Sequence, residues 1–318
     1  MDNHLTEIEI KDFKCFKDFK ADGFKRVNLI GGKNNVGKTA FMEACYVNVR
    51  ALNIKSFIGA LHGIKFMREN LNILAGENAN SKKYIEQSNK IFTKSNVNLA
   101  FFEIEDMEGV KQYIFDFNKQ YIKVNINDFS YETSDFENID FIDNFGLSNN
   151  DIVSKYSAIQ KKDEENFLNN ILNKFDERIT AFKVINETPQ CQIGKNYFEI
   201  TEFGDGTRHL ISIVTALYSC ENGYLFIDEI DNGIHYSKLD EIWTSILETS
   251  KKLNVQVFAT THSKECIESY ARVAKKLYDK DIAFIELGKN KNNELDSIVM
   301  DSEMFLRHID MGNEVRGW

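Results

Sequence analysis

Proline is almost missing from this 318-residue chain: Pro189 is the one instance. A proline-rich linker is therefore excluded, and with no glycine-rich stretch or internal repeat, no clean domain boundary shows. No apolar run approaches the eighteen or more residues of a spanning helix, and Met1 to Leu5 leads straight into strand-like sequence rather than a leader. The expectation is a cytoplasmic protein with no membrane partner. The five cysteines (Cys15, Cys45, Cys191, Cys220, Cys266) are scattered, odd in number and without paired spacing. They exclude a disulfide framework and a zinc site of paired cysteines. Positive charge is short as well, with 39 Lys and Arg against 49 Asp and Glu and a net charge of −10. A broadly basic surface is thus unexpected. The local exception is residues 11–26, where Lys11, Lys14, Lys17, Lys20, Lys25 and Arg26 cluster. They read either as the solvated face of antiparallel strands or as a nucleic-acid contact.

What the chain does have is alternation. Residues 5–31 alternate like strands, ending in Val27, Leu29 and Ile30 before Gly31-Gly32, and Thr39 to Leu52 reads as a helix. Glu77 to Asn96 reads as a loop or mobile helix, 97–126 as hairpin strands, and 127–150 has no clear period. Phe167, Ile171, Phe175, Ile179 and Phe182 give helical spacing across Asp151 to Ile185, too short and irregular for a coiled-coil arm. Strands are then expected at Tyr197–Thr201, Tyr224–Ile227, Val255–Ala259 and Ile282–Leu287, with helices between the first four and a hairpin partner at Leu295–Val299. This is the pattern of an α/β fold with a parallel sheet.

Gly32-Lys33-Asn34-Asn35-Val36-Gly37-Lys38-Thr39 fits G-x-x-x-x-G-K-[ST], follows a strand-like run and opens a helix. Glycines at this spacing let a loop wrap so that backbone N–H groups point at phosphates, and the helix N-terminus adds its positive dipole end. The expected cradle is Gly32, Asn34, Asn35, Val36, Gly37, Lys38, Thr39 and Ala40, binding ATP. Lys38 would reach the β- and γ-phosphates, and the Thr39 hydroxyl would ligate Mg²⁺.

Leu225-Phe226-Ile227 is an apolar run that ends in two carboxylates, Asp228 and Glu229. At the C-terminal end of a parallel strand, such carboxylates emerge where ligands bind. Asp228 suits Mg²⁺, and Glu229 is placed to polarise an attacking water. Phe258-Ala259-Thr260-Thr261-His262-Ser263 repeats the pattern, which makes His262 a candidate phosphate sensor although a strand-end histidine is by default structural. Gly204-Asp205-Gly206-Thr207-Arg208 lies between a strand and a helix, so it is either a turn or a second anion-binding helix N-terminus. His235 is a weaker candidate, and His4, His62, His209 and His308 receive no role.

Together these stations resemble the ABC-type ATPase heads of the SMC and RecF kind, and most of all the compact ATPases of the OLD (overcoming lysogenisation defect) family. Ile10-Lys11-Asp12-Phe13-Lys14-Cys15-Phe16 near the start and Asp228 to His235 join the loop, Gly204 to Thr207 and Thr260 to Ser263 in carrying the resemblance. The long separation of Lys38 from Asp228 suits these heads better than AAA+ proteins.

The resemblance implies a single α/β P-loop NTPase head, 1–318. Its parts would be an antiparallel β lobe with the phosphate loop (about 1–126), an inserted helical subdomain (about 127–190) and a signature, acidic-pair and histidine lobe (about 191–300). It implies ATP hydrolysis with Glu229, His262 and Lys38 as catalytic groups, and a head-to-tail homodimer (or higher oligomer) sandwiching two ATP molecules. Gly204, Gly206 and Thr207 would meet the other subunit's nucleotide, and Asn232 to His235 would cross between sites. Two departures stand out. The signature serine is Gly204 here, and the glutamine loop is unassigned, with Gln87 and Gln112 as candidates; hydrolysis that is slow or partner-dependent would follow. OLD proteins often carry a TOPRIM nuclease domain, whose acidic clusters are missing after His262. The leading expectation is an ATP-driven switch that controls a nucleic-acid-directed partner, such as a separate nuclease, in antiphage defence. The alternatives are a RecF-like DNA-repair ATPase that grips DNA itself and, less favoured, a transporter ATPase subunit.

Overall fold

The computed structural model describes residues 4–50, 60, 64, 99–106, 109–116, 123–126, 138–144 and 146–313. The chain opens with a hairpin, β1 (Glu7–Phe13) and β2 (Phe16–Asp22), whose inward residues Ile8, Ile10, Phe16, Phe19 and Ala21 are buried. Next comes β3 (Val27–Gly32), buried at every position as a central parallel strand must be. It runs through the loop into α1 (Lys38–Arg50). Three antiparallel strands form a separate sheet: β4 (Leu99–Asp106), β5 (Gly109–Asp116) and β6 (Lys123–Ile126). The chain then supplies β7 (Ile139–Ile142), α2 (Asn149–Gln160), α3 (Glu165–Phe175) and a three-stranded meander. The meander strands are β8 (Ile179–Ile185), β9 (Thr188–Ile193) and β10 (Asn196–Glu199). The last part alternates: α4 (Asp205–Ser219), β11 (Tyr224–Ile227), α5 (Leu239–Leu253), β12 (Gln256–Thr260), α6 (Lys264–Leu277), β13 (Ile282–Lys289), β14 (Leu295–Asp301) and α7 (Ser302–Asp310).

The main sheet has the order β14-β13-β3-β12-β11-β7, parallel except for β14. Its strands alternate between two cores. Val27, Leu29, Leu225, Ile227, Val257 and Ala259 join the core with α4, α5 and α6, while Ile30, Phe226 and Phe258 join the core with the hairpin and α1. Both faces are therefore covered, and only the strand ends are left for a ligand. β3, β11 and β12 place the phosphate loop, Asp228-Glu229 and Thr260–His262 at the same C-terminal edge, where ligands of open α/β sheets bind.

Two sequence expectations need correction, and one unassigned segment gains a strand. The helical spacing across 151–185 holds only to Phe175; Ile179 and Phe182 lie on β8, where both are buried on one face. An apolar residue every three or four positions fits both a helix stripe and an irregular strand. The unreadable 127–150 segment contains β7, four residues paired in parallel with β11. Strand Tyr197–Thr201 stops at Glu199, where Glu199 and Glu202 form a reciprocal capping box around a short 3₁₀ turn. Glu77–Asn96, His62 and Gln87 lie outside the described residues.

Lys11, Lys14, Lys20 and Arg26 of the basic cluster at 11–26 are engaged with acidic neighbours. Arg26 is buried, bonded to Asp279 and Ser250, 3.2 Å from the Leu247 carbonyl and 3.6 Å from an Asp281 oxygen. Lys14 forms a largely buried pair with Glu43 of α1, and Lys11 and Lys20 lie beside Glu9 and Glu7 at 3.1 and 3.6 Å. A solvated face describes Lys17 and Lys20 but not Lys14 or Arg26.

Candidate functional site

The loop after β3 is shaped by two glycines with no room for a side chain. Gly32 has φ +142°, and a Cβ there would lie 2.4 Å from the Leu287 carbonyl oxygen of β13. Gly37 has φ +89°, and a Cβ there would lie 2.6 Å from the Cys15 Sγ at the hairpin tip. Asn34 and Asn35 are exposed at the loop crest, with Asn35 at φ +61°, a region asparagine tolerates. Val36 and Ala40 are buried beneath, and the Gly37 carbonyl accepts the first helical bond, from Phe41. A Gly37→Ala variant should lose about 1–2 kcal/mol from left-handed backbone strain alone, read by chemical denaturation. Adding Cys15→Ala should relieve the contact but not that strain; full recovery in the double variant would refute the backbone explanation.

Lys38 points back over the loop and donates to the Gly32 and Lys33 carbonyls at 2.9 and 3.0 Å. Burial lowers its pKa, and the carboxylates of Glu229, Asp228 and Asp231 oppose that shift. One ammonium thus faces three carboxylates, and it loses part of its hydration before any phosphate arrives. The Thr39 hydroxyl donates to Asp228 Oδ1 at 3.1 Å. A hydroxyl and a carboxylate at the head of a helix are hard oxygen donors, which fit Mg²⁺, an ion that takes one or two carboxylates and completes its shell with phosphates and water.

Glu229 follows Asp228 with φ +50°, left-handed for a residue with a side chain. Its carboxylate is 4.0 Å from His262 Nδ1, and both side chains are about half exposed. Two residues without an expected role complete the arrangement. Thr260 Oγ1 donates to Asp228 Oδ1 at 2.6 Å and accepts the Glu229 N–H at 2.9 Å. Thr261 Oγ1 donates to Asp231 Oδ1 at 2.6 Å and accepts the Ser263 N–H at 3.0 Å. Their hydroxyls stood in the strand-end sequence, but only the β11–β12 register brings them to the carboxylates.

Gly204 caps α4 in an extended conformation with no side-chain bond, and among the described residues nothing lies within 4 Å of a Cβ there. Gly206 packs against the segment after the acidic pair: a Cβ on it would lie 3.0 Å from the Gly233 oxygen, and one on Gly233 2.7 Å from Asp205 Cβ. Thr207 is buried. Asn232 donates to the Asn144 carbonyl at 2.5 Å, and exposed His235 is tied locally to Ser237. His209, given no role from sequence, is buried on α4. Burial lowers its pKa to about 4, opposed by a hydrogen bond with the Ile230 backbone, so it is neutral at pH 7. Gln112 lies within β5.

Comparison with known proteins bears on this arrangement. A family described as "AAA domain, putative AbiEii toxin, Type IV TA system" matches residues 74–268, more than half of the chain. The match takes in Gly204–Thr207, Asp228-Glu229 and His262 but starts after the phosphate loop. An "ATP/GTP phosphatase" of Helicobacter pylori is 26% identical, over 88% of this chain and 90% of its own length. The DNA replication and repair protein RecF of Nitrosococcus oceani is 39% identical, but over only 14% of this chain and 12% of its own. A solved SMC head bound to the C-winged helix domain of ScpA shares the fold, with TM-score 0.56 at 12% identity, across 94% of this chain and 98% of the other. Among the described residues no helix is long and apolar enough to cross a membrane.

Proposed function

We propose a function that proceeds from membership: the chain belongs to the family described as AAA domain, putative AbiEii toxin, Type IV TA system, and is a P-loop ATPase of the ABC type. The reading is an ATP-hydrolysing switch, built as one head, that dimerises head to tail around two ATP molecules and controls a nucleic-acid-directed partner. The observation that carries it is the convergence of Lys38, Asp228, Glu229 and His262 on one sheet edge beside the phosphate loop.

In this reading the loop amides and Lys38 bind the phosphates. Thr39 and Asp228 would hold Mg²⁺, whose charge would offset that of the β- and γ-phosphates. Glu229 orients the attacking water and accepts its proton, and His262 reports the γ-phosphate. The N-terminus of α4, with no side-chain cap, offers backbone N–H groups to the nucleotide of a second copy. Glycine at position 204 limits that contact to backbone donors, so turnover is slow until a partner tightens the dimer. Antiphage defence is the setting that the OLD-like motifs and the toxin–antitoxin description of the family both support. Direct DNA gripping as in RecF draws less support, because Lys14 and Arg26 are engaged within the protein.

Lys38→Ala tests the reading. Loss of a charge-assisted contact of about 1.5–3 kcal/mol should weaken ATP binding roughly 10- to 150-fold, measured by calorimetry. ATP-dependent doubling of mass by light scattering should vanish with it. Unchanged ATP affinity would mean that the loop does not bind the phosphates.

A further inference from the structure

We propose that Thr260 and Thr261 form a two-hydroxyl clamp that positions the acidic segment Asp228–Asp231 for hydrolysis, with Thr260 the positioning residue for both Asp228 and Glu229. The inference rests on the ATP-hydrolysing reading of the site and adds what holds that site in register.

Both threonines are buried, at 1% and 0% exposure, so water does not satisfy their hydroxyls. A threonine hydroxyl has one proton to give and lone pairs to receive. At Thr260 one neighbour is a backbone N–H, which only donates, and the other a carboxylate, which when ionised only accepts. The proton therefore has one place to go, onto Asp228 Oδ1. Thr261 repeats the logic with the Ser263 N–H and Asp231 Oδ1. Each hydroxyl thus has its one proton committed to a carboxylate and a lone pair committed to an N–H, which fixes its direction and makes it a rigid spacer rather than a rotor.

The consequence for Glu229 is larger than one bond. Its left-handed backbone is disfavoured by about 1–2 kcal/mol for a residue with a side chain. Thr260 grips it from both sides: the hydroxyl takes the Glu229 N–H, and the Thr260 carbonyl takes the Ile230 N–H at 3.0 Å. The turn that aims the Glu229 carboxylate is thus held open by a residue on the neighbouring strand. Asp228 is oriented by the same hydroxyl. Oδ1 accepts from Thr39 and from Thr260, and Oδ2 accepts from neither.

Thr261 carries the frame onward. Its N–H donates to the Ile30 carbonyl of β3 at 3.1 Å, just before the phosphate loop, and its hydroxyl joins Asp231 to the turn that bears His262. Phosphate loop, acidic segment and histidine turn are therefore tied to the last residue of β12 and the one that follows it. A shift of His262 on γ-phosphate capture reaches Glu229 through these bonds.

The test uses the full chain, with Thr260→Val removing the hydroxyl and Thr260→Ser keeping it. Steady-state ATP turnover, ATP affinity and melting temperature are measured for both, with Lys38→Ala alongside. Thr260→Val should lower kcat by about 100-fold, the effect of a catalytic group displaced by about 1 Å. KM and ATP affinity should stay near wild type, and Thr260→Ser should restore kcat. Wild-type kcat in Thr260→Val would overturn the clamp. So would a joint loss of kcat, affinity and melting temperature that serine does not rescue, because that marks a purely structural threonine. If Lys38→Ala hydrolyses ATP as fast as wild type, the reading of the site falls and the clamp falls with it. If Lys38→Ala is inactive while Thr260→Val is not, the clamp alone fails.

Discussion

Glu229→Gln should slow ATP turnover by about 10²–10⁴-fold while ATP still binds and an ATP-bound dimer accumulates. The substitution is clean because the bond that shapes the turn is made by the Glu229 backbone N–H, not by its carboxylate. Glutamine keeps the volume of the side chain and its half-exposed position beside His262; it removes the negative charge and with it the ability to take a proton. The substitution also removes one of the three carboxylates around Lys38, and with it an anion that repels the phosphates, so phosphate affinity should not fall. Turnover under single-turnover conditions and mass by light scattering with ATP give the two readouts. A variant that hydrolyses ATP at the wild-type rate would remove Glu229 as the base.

Arg26→Ala should destabilise the fold by about 3–5 kcal/mol, the usual result of stripping one partner from a buried ion pair. Arg26 and Asp279 are 4% and 8% exposed, and the guanidinium also serves the Leu247 carbonyl and Ser250. Alanine leaves the buried Asp279 carboxylate without its counter-charge, with the Asp281 N–H as a remaining donor at 3.0 Å, and takes a donor from the Leu247 carbonyl. Chemical denaturation measures the loss. Pairing Arg26→Met with Asp279→Leu removes both charges and should recover most of it. If the double variant is as unstable as the single one, the defect is lost packing rather than an orphaned charge.

The residues of the candidate nucleotide site were more legible in the sequence than the frame that holds them. The phosphate loop is local, eight residues whose glycine spacing follows from close backbone approach, and the structure places steric walls at Gly32 and Gly37. Asp228-Glu229 was legible because an apolar run that stops at carboxylates marks the end of a buried strand. Thr260 and Thr261 were not, because their function depends on the pairing of Ile227 with Ala259, a register that local spacing does not encode. Arg26 failed as a surface residue for the same reason: its partners Leu247, Ser250 and Asp279 lie more than two hundred positions away. β7 escaped because four residues without alternation carry no period, and β8 because its apolar spacing matched a helix.

The strand order has a consequence for how the protein is made. β3 emerges well before its partners β12 and β13, so Val27 waits for Val257 and Ile282. At about 5–20 residues per second, a ribosome takes roughly ten to fifty seconds to supply them. For that interval the backbone N–H and C=O groups along both edges of β3 have no native strand partner, which marks Val27–Gly32 as a segment exposed to wrong pairing on the nascent chain. Closing so long a loop is also slow. Nucleotide binding therefore cannot begin piecemeal during synthesis: the phosphate loop is translated well before its neighbours and becomes competent only when β12 and β13 dock on either side of β3.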